Sequence, residues 1–237
     1  MEAVLSRELL GCLARLKTKC LNGSYFGANN IDKVLEKYMP YNNGYYVELG
    51  ANDGFRQSNS YYFELKKNWS GILIEPVPEL YKSCVKLRGK KNKVFCNACV
   101  SFSYIGEFVQ MTFADLMSVS DGLDLALADT YGHLINAKKH FRSSEIEYSF
   151  GAKARTLSSI LEECSAPKNI EFLSLDVEGA ELHVLDGIDF NKWRFKIILV
   201  ETREFERVKS FLYTKGYSFF ERVTFHDFLF SYDGLKN

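Results

Sequence analysis

The stretch Tyr45-Tyr46-Val47-Glu48-Leu49-Gly50-Ala51-Asn52-Asp53-Gly54, residues 45–54, decides the fold class. Five strand-forming residues are followed by a turn in which three residues separate two glycines. Glycine lets the backbone approach a ligand closely, where a Cβ atom would block it. The spacing differs from the Gly-x-Gly-x-x-Gly pattern that cradles a dinucleotide pyrophosphate, and the missing third glycine disfavours a nicotinamide dehydrogenase. The stretch therefore predicts a strand that ends in a ligand-binding turn without phosphate chemistry.

Outward from this stretch, short apolar runs alternate with helical patterns. Such alternation is typical of βαβ units, which build a mostly parallel sheet with helices on both faces. Two aromatic-rich runs at 218–223 and 228–232 predict a closing antiparallel pair, and the fold class is therefore α/β. The predicted strands are 45–49, 71–75, 93–96, 172–176 and 195–201, and the predicted helices are 57–68, 79–88, 157–164, 181–185 and 205–215.

The composition is that of a globular protein. The chain has 237 residues, 30 Lys and Arg against 30 Asp and Glu, and 46% hydrophobic residues, which excludes long disorder. Zero net charge argues against a strongly basic nucleic-acid-binding protein, and no apolar run reaches the roughly 18 to 20 residues that span a bilayer. No signal peptide is visible, and six cysteines are too sparse for a disulfide scaffold. We therefore expect a reducing, cytoplasmic compartment.

Residues 1–43 precede the first strand and are predicted to be an N-terminal helical extension. Apolar residues between positions 4 and 16 recur at helical spacing, and a second helix is predicted at 31–38, ahead of Pro40. The first helix either packs on the domain or contacts a partner. A homodimer and a longer parent polypeptide therefore both stay open.

Residues 44–237 are predicted to form the main domain, and residues 101–155 interrupt its alternation as an insertion. Positions 104–113 are predicted to be a hairpin with Gly106 at its turn, and positions 115–149 are polar and irregular. A stretch of this length inside a compact domain is usually functional or mobile. Since it lies between the third and fourth predicted strands of the sheet, we predict a substrate lid.

The predicted strand ends carry acidic side chains where an open parallel sheet binds its ligands. Glu48 lies two residues before the first glycine, where a carboxylate would repel a phosphate and suits a cationic amine. Glu75 ends the second strand, where an acidic residue can accept hydrogen bonds from ribose hydroxyls. A partner for an amine, a partner for a ribose and a glycine turn without phosphate chemistry together predict S-adenosylmethionine as the cofactor.

Several motifs resemble those of the FkbM family of S-adenosylmethionine-dependent O-methyltransferases, over about residues 45 to 232. The most specific is Asp176-Val177-Glu178-Gly179-Ala180-Glu181, and the others are 47–54, Ile74-Glu75-Pro76, 154–161 and Val200-Glu201. The resemblance implies a Rossmann-like class I methyltransferase fold with a seven-stranded, mostly parallel sheet. It also implies that residues 44–237 transfer a methyl group to a hydroxyl, typically of a sugar or a natural product. The residues predicted to line the cofactor are Glu48, Gly50, Asn52, Asp53, Gly54, Glu75, Pro76, Ala98 and Asp176.

Three carboxylates are predicted to carry the catalysis. An alcohol is a poor nucleophile, so methyl transfer to a hydroxyl benefits from a general base. Asp176 and Glu178 flank the turn after the fourth strand, Glu201 ends its neighbour, and we predict Glu178 or Asp176 as the base. Crowded carboxylates repel one another, so at least one of the three is expected to be protonated, paired with a cation or bound to a metal ion. Asp176 and Glu201 could together hold Mg²⁺. Glu178 could instead cap the following helix.

Three further residues are predicted to contact the methyl acceptor. His226 lies between the last two strands, and Tyr131 and His133 lie in the insertion. Each can contact a sugar hydroxyl or ring, and each can equally be a solvated surface residue.

The function expected from these residues is O-methylation of a hydroxyl, in a sugar of a glycan or glycoconjugate. One alternative is methylation of RNA, against which the neutral charge and the absence of an extended basic stripe argue. Another is a catalytically inactive methyltransferase fold that serves as an interaction module, against which the intact strand-end carboxylates argue.

Overall fold

The computed structural model describes residues 25–113, 119–121 and 148–232 of the chain. Its strands form a seven-stranded sheet and a four-stranded sheet. The strands are β1 (Tyr45–Leu49), β2 (Ser70–Ile74), β3 (Lys93–Phe95), β4 (Ala98–Cys99), β5 (Phe108–Phe113), β6 (Val119–Asp121), β7 (Tyr148–Arg155), β8 (Asn169–Leu175), β9 (Arg194–Glu201), β10 (Ser218–Arg222) and β11 (Asp227–Ser231).

Helices lie between several of these strands along the chain. In the part of the chain that the structure describes, none is long and apolar enough to cross a membrane. A 3-10 turn (Ala28–Asn30) precedes α1 (Ile31–Tyr38), which is followed by α2 (Tyr61–Lys67), α3 (Pro78–Arg88), α4 (Leu157–Glu163), α5 (Glu181–Asp186) and α6 (Phe205–Thr214).

The larger sheet has the strand order β10-β11-β9-β8-β1-β2-β3. Its neighbouring strands pair in parallel, except that β11 is antiparallel to both β9 and β10. The predicted mostly parallel sheet and the closing antiparallel pair are therefore confirmed. The chain leaves β1 towards β2 on one side, while β8 lies on the other side of β1. This reversal leaves a crevice beyond the carboxyl ends of β1 and β8, where open α/β sheets bind ligands.

Helices cover both faces of the larger sheet. Successive side chains of a strand point to opposite faces, so Val47 and Leu49 join a buried cluster with α4, α5 and α6. Tyr46 joins a second cluster with α1 and α2 on the other face. Each buried Leu, Ile or Phe in these clusters stabilises the fold by about 1.5–3 kcal/mol. The strand ends are left as the edge at which a ligand can enter.

Two helices begin at positions other than those predicted. Helix α2 begins at Tyr61 rather than 57, because Gln57 has a left-handed backbone conformation (φ +57°) that a right-handed helix cannot contain. Helix α3 begins at Pro78, since proline is well suited to the first helical position, where its missing N–H is not needed.

The insertion does not form the predicted hairpin around Gly106. Gly106 precedes β5, and β5 pairs antiparallel with both β6 and β7 in a sheet of order β4-β7-β5-β6. Val109 and Met111 pack with Ala152 of β7 in a small core of their own. Strand β5 therefore pairs with β7, which lies far along the chain, and not with a neighbouring segment across a turn at Gly106.

The described part of the N-terminal extension packs on the domain. Helix α1 confirms the helix predicted at 31–38, and its Ile31 and Leu35 are buried against the sheet. The Asp32 carboxylate accepts a hydrogen bond from the Phe26 backbone N–H at 2.6 Å, and Gly27 forms an isolated parallel bridge with Gln57. The helix predicted between positions 4 and 16 lies outside the described residues.

Candidate active site

A cleft with about 890 Å³ of empty space, part of it open to solvent, lies beyond the carboxyl ends of β1, β2 and β8. Its position, beyond the carboxyl ends of parallel strands, is where open α/β sheets bind small molecules. It brings together most of the residues that were predicted from the strand ends. Those that line the cleft are Gly50, Asn52, Glu75, Pro76, Ala98, Asp176 and Glu178.

The glycine turn depends on backbone conformations that most residues avoid. Gly50 has φ +76°, and a Cβ atom at this position would lie 1.9 Å from the Asp176 carbonyl oxygen. Gly54 also has a positive φ, +81°. The Asp53 side chain accepts hydrogen bonds from the N–H groups of Phe55 and Arg56, at 2.9 and 2.8 Å. Asp53 and Gly54 therefore shape the turn but do not line the cleft, although both were predicted to contact the cofactor.

Glu48 is also absent from the lining of the cleft, in contrast to its predicted contact with the cofactor amine. Its buried carboxylate accepts hydrogen bonds from the Ser58 hydroxyl, the Asn59 N–H at 2.8 Å and the Ser60 hydroxyl at 2.6 Å. The reason is the strand period: Glu48 is two residues after Tyr46, so both point to the face of the sheet that α1 and α2 cover. The strand ends one residue later, at Leu49.

Glu75 follows β2 and borders the cleft. One carboxylate oxygen accepts the Asn52 N–H at 2.8 Å, and the other accepts the Val77 N–H at 2.9 Å. Burial raises the pKa of Glu75 to about 7, and the charge of Asp53 adds to the increase. The side chain thereby links the glycine turn to the start of α3 and keeps lone pairs for a ligand.

Partly buried carboxyl groups gather at the ends of β8 and β9. Burial is the main cause that raises the pKa of Asp176 well above its ordinary value, followed by the charges of Glu201 and Glu178. Burial also raises the pKa of Glu201, the charge of Asp227 adds to the increase, and the neighbouring Asp176 side chain opposes it. Repulsion among these carboxylates therefore favours their protonated forms.

Glu178 occupies an unusual backbone position next to this pair. It has φ +50°, in the left-handed region that favours glycine, and Gly179 follows with φ +101°. Burial raises the pKa of Glu178 to about 7, the Glu201 charge adds to this, and Arg203 opposes it. The Gly179 N–H before α5 donates to the Glu181 carboxylate at 2.7 Å. Glu181 thus makes the contact at the helix start that was considered for Glu178.

A second, smaller cavity shares Asp176 and Glu178 with the first. His226 lies in its wall, so the structure brings this predicted residue beside the carboxyl cluster. The loop that carries His226 is fixed by Arg222, whose guanidinium donates to the carbonyls of Thr224 and Phe225 at 3.0 and 2.7 Å. The other residues of the second cavity are Gly179, Glu181, Glu201, Thr202 and Arg203.

The predicted Mg²⁺ site is not supported. Within residues 25–113, 119–121 and 148–232, no group of three or more His, Cys, Asp or Glu side chains has a geometry that could hold a metal ion. The other two predicted acceptor contacts, Tyr131 and His133, lie outside the described residues.

Sequence reasoning missed residues that reach the cleft from elsewhere in the chain. Arg56 and Gln57 follow the glycine turn, and Cys99, Val109 and Met111 come from the smaller sheet. The apolar alternation at 109 and 111 is a signal for a half-buried strand, but nothing in it indicates which cavity the strand borders.

The comparison with protein families matches residues 48–227 to the methyltransferase FkbM domain. A search among curated proteins finds no match. Among solved structures, the chain is similar to precorrin-6y C5,15-methyltransferase from Geobacter metallireducens GS-15, with 10% identity over 85% of each chain and a TM-score of 0.44. It is also similar to a TehB-like SAM-dependent methyltransferase from Corynebacterium glutamicum ATCC 13032, with 10% identity, 94% of this chain and 95% of that chain covered, and a TM-score of 0.40.

These structural likenesses are too distant to indicate an acceptor. The family match, however, covers well over half of the chain and contains the glycine turn, Glu75 and the carboxyl cluster. The sheet order and the position of the cleft agree with it. The protein therefore belongs to the FkbM family of S-adenosylmethionine-dependent methyltransferases.

Proposed function

We propose that the protein transfers the methyl group of S-adenosylmethionine to a hydroxyl group, in a sugar of a glycan or glycoconjugate. The observation that carries this proposal is the meeting of Asp176, Glu178 and Glu201 at the boundary of the two cavities. A buried carboxylate at this point can accept the proton that a hydroxyl must lose.

The larger cleft suits the cofactor. Gly50 and Asn52 would hold its amino-acid end, and Glu75 would accept hydrogen bonds from the ribose hydroxyls. Leu80, Val109 and Met111 supply an apolar wall for the adenine. The cofactor supplies an already activated methyl group, so the contribution of these residues is to orient it towards the acceptor.

Glu178 is the proposed general base. Its pKa of about 7 lies near the pH at which a base works best, since the group is then partly ionised and still basic enough to take a proton. The raised pKa values of Asp176 and Glu201 would limit the negative charge around Glu178. Mg²⁺ is not part of this proposal.

The second cavity supports a neutral, hydroxyl-rich acceptor. Thr202 and His226 offer hydrogen-bonding groups, and Phe225 next to His226 is 74% exposed, as expected for a ring that stacks on a sugar. The same cavity contains the carboxyl groups of Asp176, Glu178, Glu181 and Glu201 against the single guanidinium of Arg203. This excess of acid disfavours RNA, because a nucleic-acid site needs to neutralise phosphates.

The experiment is a methyl-transfer assay with labelled S-adenosylmethionine, a panel of glycans and an RNA pool. We expect label in a glycan, and we expect Glu178→Gln to lower kcat by about 10²-fold or more because the base is lost. Binding of S-adenosylhomocysteine should change by less than about threefold, since Glu178 is assigned to the acceptor side.

The matched control is Glu162→Gln, which removes an exposed carboxylate far from the cleft. It should keep full activity. Label in RNA but not in any glycan would contradict the proposed acceptor. Full activity of Glu178→Gln would contradict the proposed base, and absence of transfer despite cofactor binding would favour an interaction module.

A further inference from the structure

Arg88, at the end of α3, is a buried arginine that neither cavity uses. Only 1% of its surface is exposed, and arginine is rarely buried unless its charge and N–H groups are satisfied. Its guanidinium forms an ion pair with Glu64 and lies 3.9 Å from a Glu48 carboxylate oxygen. Burying a guanidinium costs desolvation free energy, so the groups that it contacts should explain why Arg88 is buried.

The guanidinium contacts the chain before, at the end of, and after the glycine turn. One terminal nitrogen donates to the Gly54 carbonyl at 2.8 Å and to the Ser58 hydroxyl at 3.3 Å. The other donates to the Tyr46 hydroxyl at 2.7 Å and to the Ser60 hydroxyl at 3.0 Å. Tyr46 belongs to β1, Gly54 ends the turn, and Ser58 and Ser60 follow it.

The turn needs such support because its conformation is not that of a helix or a strand. Gly50, Asn52 and Gly54 have φ values of +76°, +50° and +81°. Residues in such regions persist only where surrounding contacts hold them. Glu48 adds to the same network, since it accepts hydrogen bonds from both Ser58 and Ser60.

We propose that Arg88 is a positioning residue for the cofactor. Its guanidinium donates hydrogen bonds to the Gly54 carbonyl and to the hydroxyls of Ser58 and Ser60. These bonds fix the turn that presents Gly50 and Asn52 to the cleft. Arg88 itself does not line the cleft, so it acts through the turn. The inference rests on the cofactor of the family and does not depend on whether the acceptor is a hydroxyl.

Lysine cannot reproduce this arrangement. Its single ammonium group is a point charge, whereas the planar guanidinium presents donors in fixed directions to several acceptors at once. Arg88→Lys therefore keeps the charge but loses contacts on at least one side of the turn, and Arg88→Met loses both.

The test is calorimetric titration of the full chain with S-adenosylhomocysteine, at a temperature well below unfolding of every variant. We expect Arg88→Lys to raise the dissociation constant about tenfold and Arg88→Met to raise it further, because a displaced turn of about 1 Å can cost up to 10²-fold. Hydrogen exchange should show faster exchange at the Asn52 and Gly54 amides in both variants, with β9 unchanged.

The control is Tyr217→Phe, which removes a buried hydroxyl that accepts the Phe195 N–H at 2.8 Å. It should lower the melting temperature without weakening cofactor binding. If Arg88→Lys binds S-adenosylhomocysteine as tightly as the wild type, Arg88 is only a structural residue and the proposal is wrong. Should Arg88→Lys fail to fold, Glu64→Gln, which loosens the guanidinium without touching the turn, must weaken binding about threefold, and wild-type affinity would again overturn the proposal.

Discussion

Two acidic regions, one buried and one partly buried, lie on neighbouring strands of the same sheet and have opposite surroundings. Glu48 of β1 faces Ser174 of β8 in the ladder and is surrounded by donors from Ser58, Asn59 and Ser60. Asp176 and Glu178, just beyond β8, are surrounded mainly by other carboxyl groups. In the sequence the two regions look alike, because each places an acidic residue at the end of a predicted strand.

The difference lies in the groups around each carboxylate. The donors around Glu48 make it part of the scaffold beneath the glycine turn. The carboxyls around Asp176 raise its pKa, and Asp176 borders two cavities. Proximity to a strand end therefore does not separate the two kinds of carboxylate, whereas their neighbours in the described part of the chain do.

The largest expected effect on stability comes from removing Glu48. Glu48→Ala should lower the free energy of unfolding by about 3 kcal/mol, because it leaves the buried donors of Ser58, Asn59 and Ser60 without their acceptor and removes one of the two carboxylates beside Arg88. Glu178→Ala should change it by less than about 1 kcal/mol, since the lost contacts are offset by relieved repulsion between carboxyl groups, while alanine keeps the strain of the left-handed backbone. Urea denaturation at pH 7 measures both, and equal losses would contradict the distinction between the two regions.

The pH dependence of stability gives a smaller effect. The pKa values of Glu178 and Glu181 are about 7 in the folded protein, above the ordinary value of 4.5. The folded state therefore keeps protons that the unfolded state releases, and stability falls as the pH rises from about 4.5 to about 7. We expect a loss of about 2 kcal/mol across this window from the two groups together, after allowing for their coupling.

The double variant Glu178→Gln/Glu181→Gln should flatten this slope. Some slope should remain, because burial also raises the pKa of Glu75 to about 7. The matched control, Glu162→Gln/Glu163→Gln, removes two exposed carboxylates and should leave the slope as it is. An unchanged slope in the first variant would show that the carboxyl cluster titrates normally.

The smallest expected effect is that of Mg²⁺. Calorimetric titration with S-adenosylhomocysteine should give the same dissociation constant, within about twofold, with Mg²⁺ and after chelation, since the described residues contain no group of three or more His, Cys, Asp or Glu side chains that could hold a metal ion. A Mg²⁺-dependent affinity would mean that the cluster rearranges into a metal site, and the two regions would then differ by metal binding.

The larger sheet could be predicted because its strands are continuous apolar runs and its turns carry glycine. The residues at the strand ends follow from that topology, which explains why Gly50, Glu75 and Asp176 meet at one cleft. The inward position of Glu48 was also readable, since it shares the face of Tyr46 two residues earlier. The negative charge of Glu48 suggests a contact with the cofactor amine, whereas the alternation of side chains along the strand places it on the opposite side, among the helices.

Other parts of the site depend on contacts that no local pattern contains. Val109 reaches the cleft only because β5 pairs with β7, about forty positions later in the chain. Glu181 joins the carboxyl cluster because the chain turns sharply at Glu178 and Gly179. The sequence predicts a turn after the fourth strand, but it does not predict the left-handed backbone that brings Glu181 to the cluster. Tyr131 and His133 stay predictions.

As the proposed general base, Glu178 would set activity against thermostability through its left-handed conformation. A non-glycine residue at φ +50° stores roughly 1–2 kcal/mol of backbone strain, which glycine would release and asparagine would reduce. Random mutagenesis screened only for heat resistance should therefore enrich these two residues at position 178, and the surviving clones would be robust proteins that bind cofactor and transfer no methyl group. Persistence of glutamate at this position in a population under selection would report on turnover, because folding alone does not favour it.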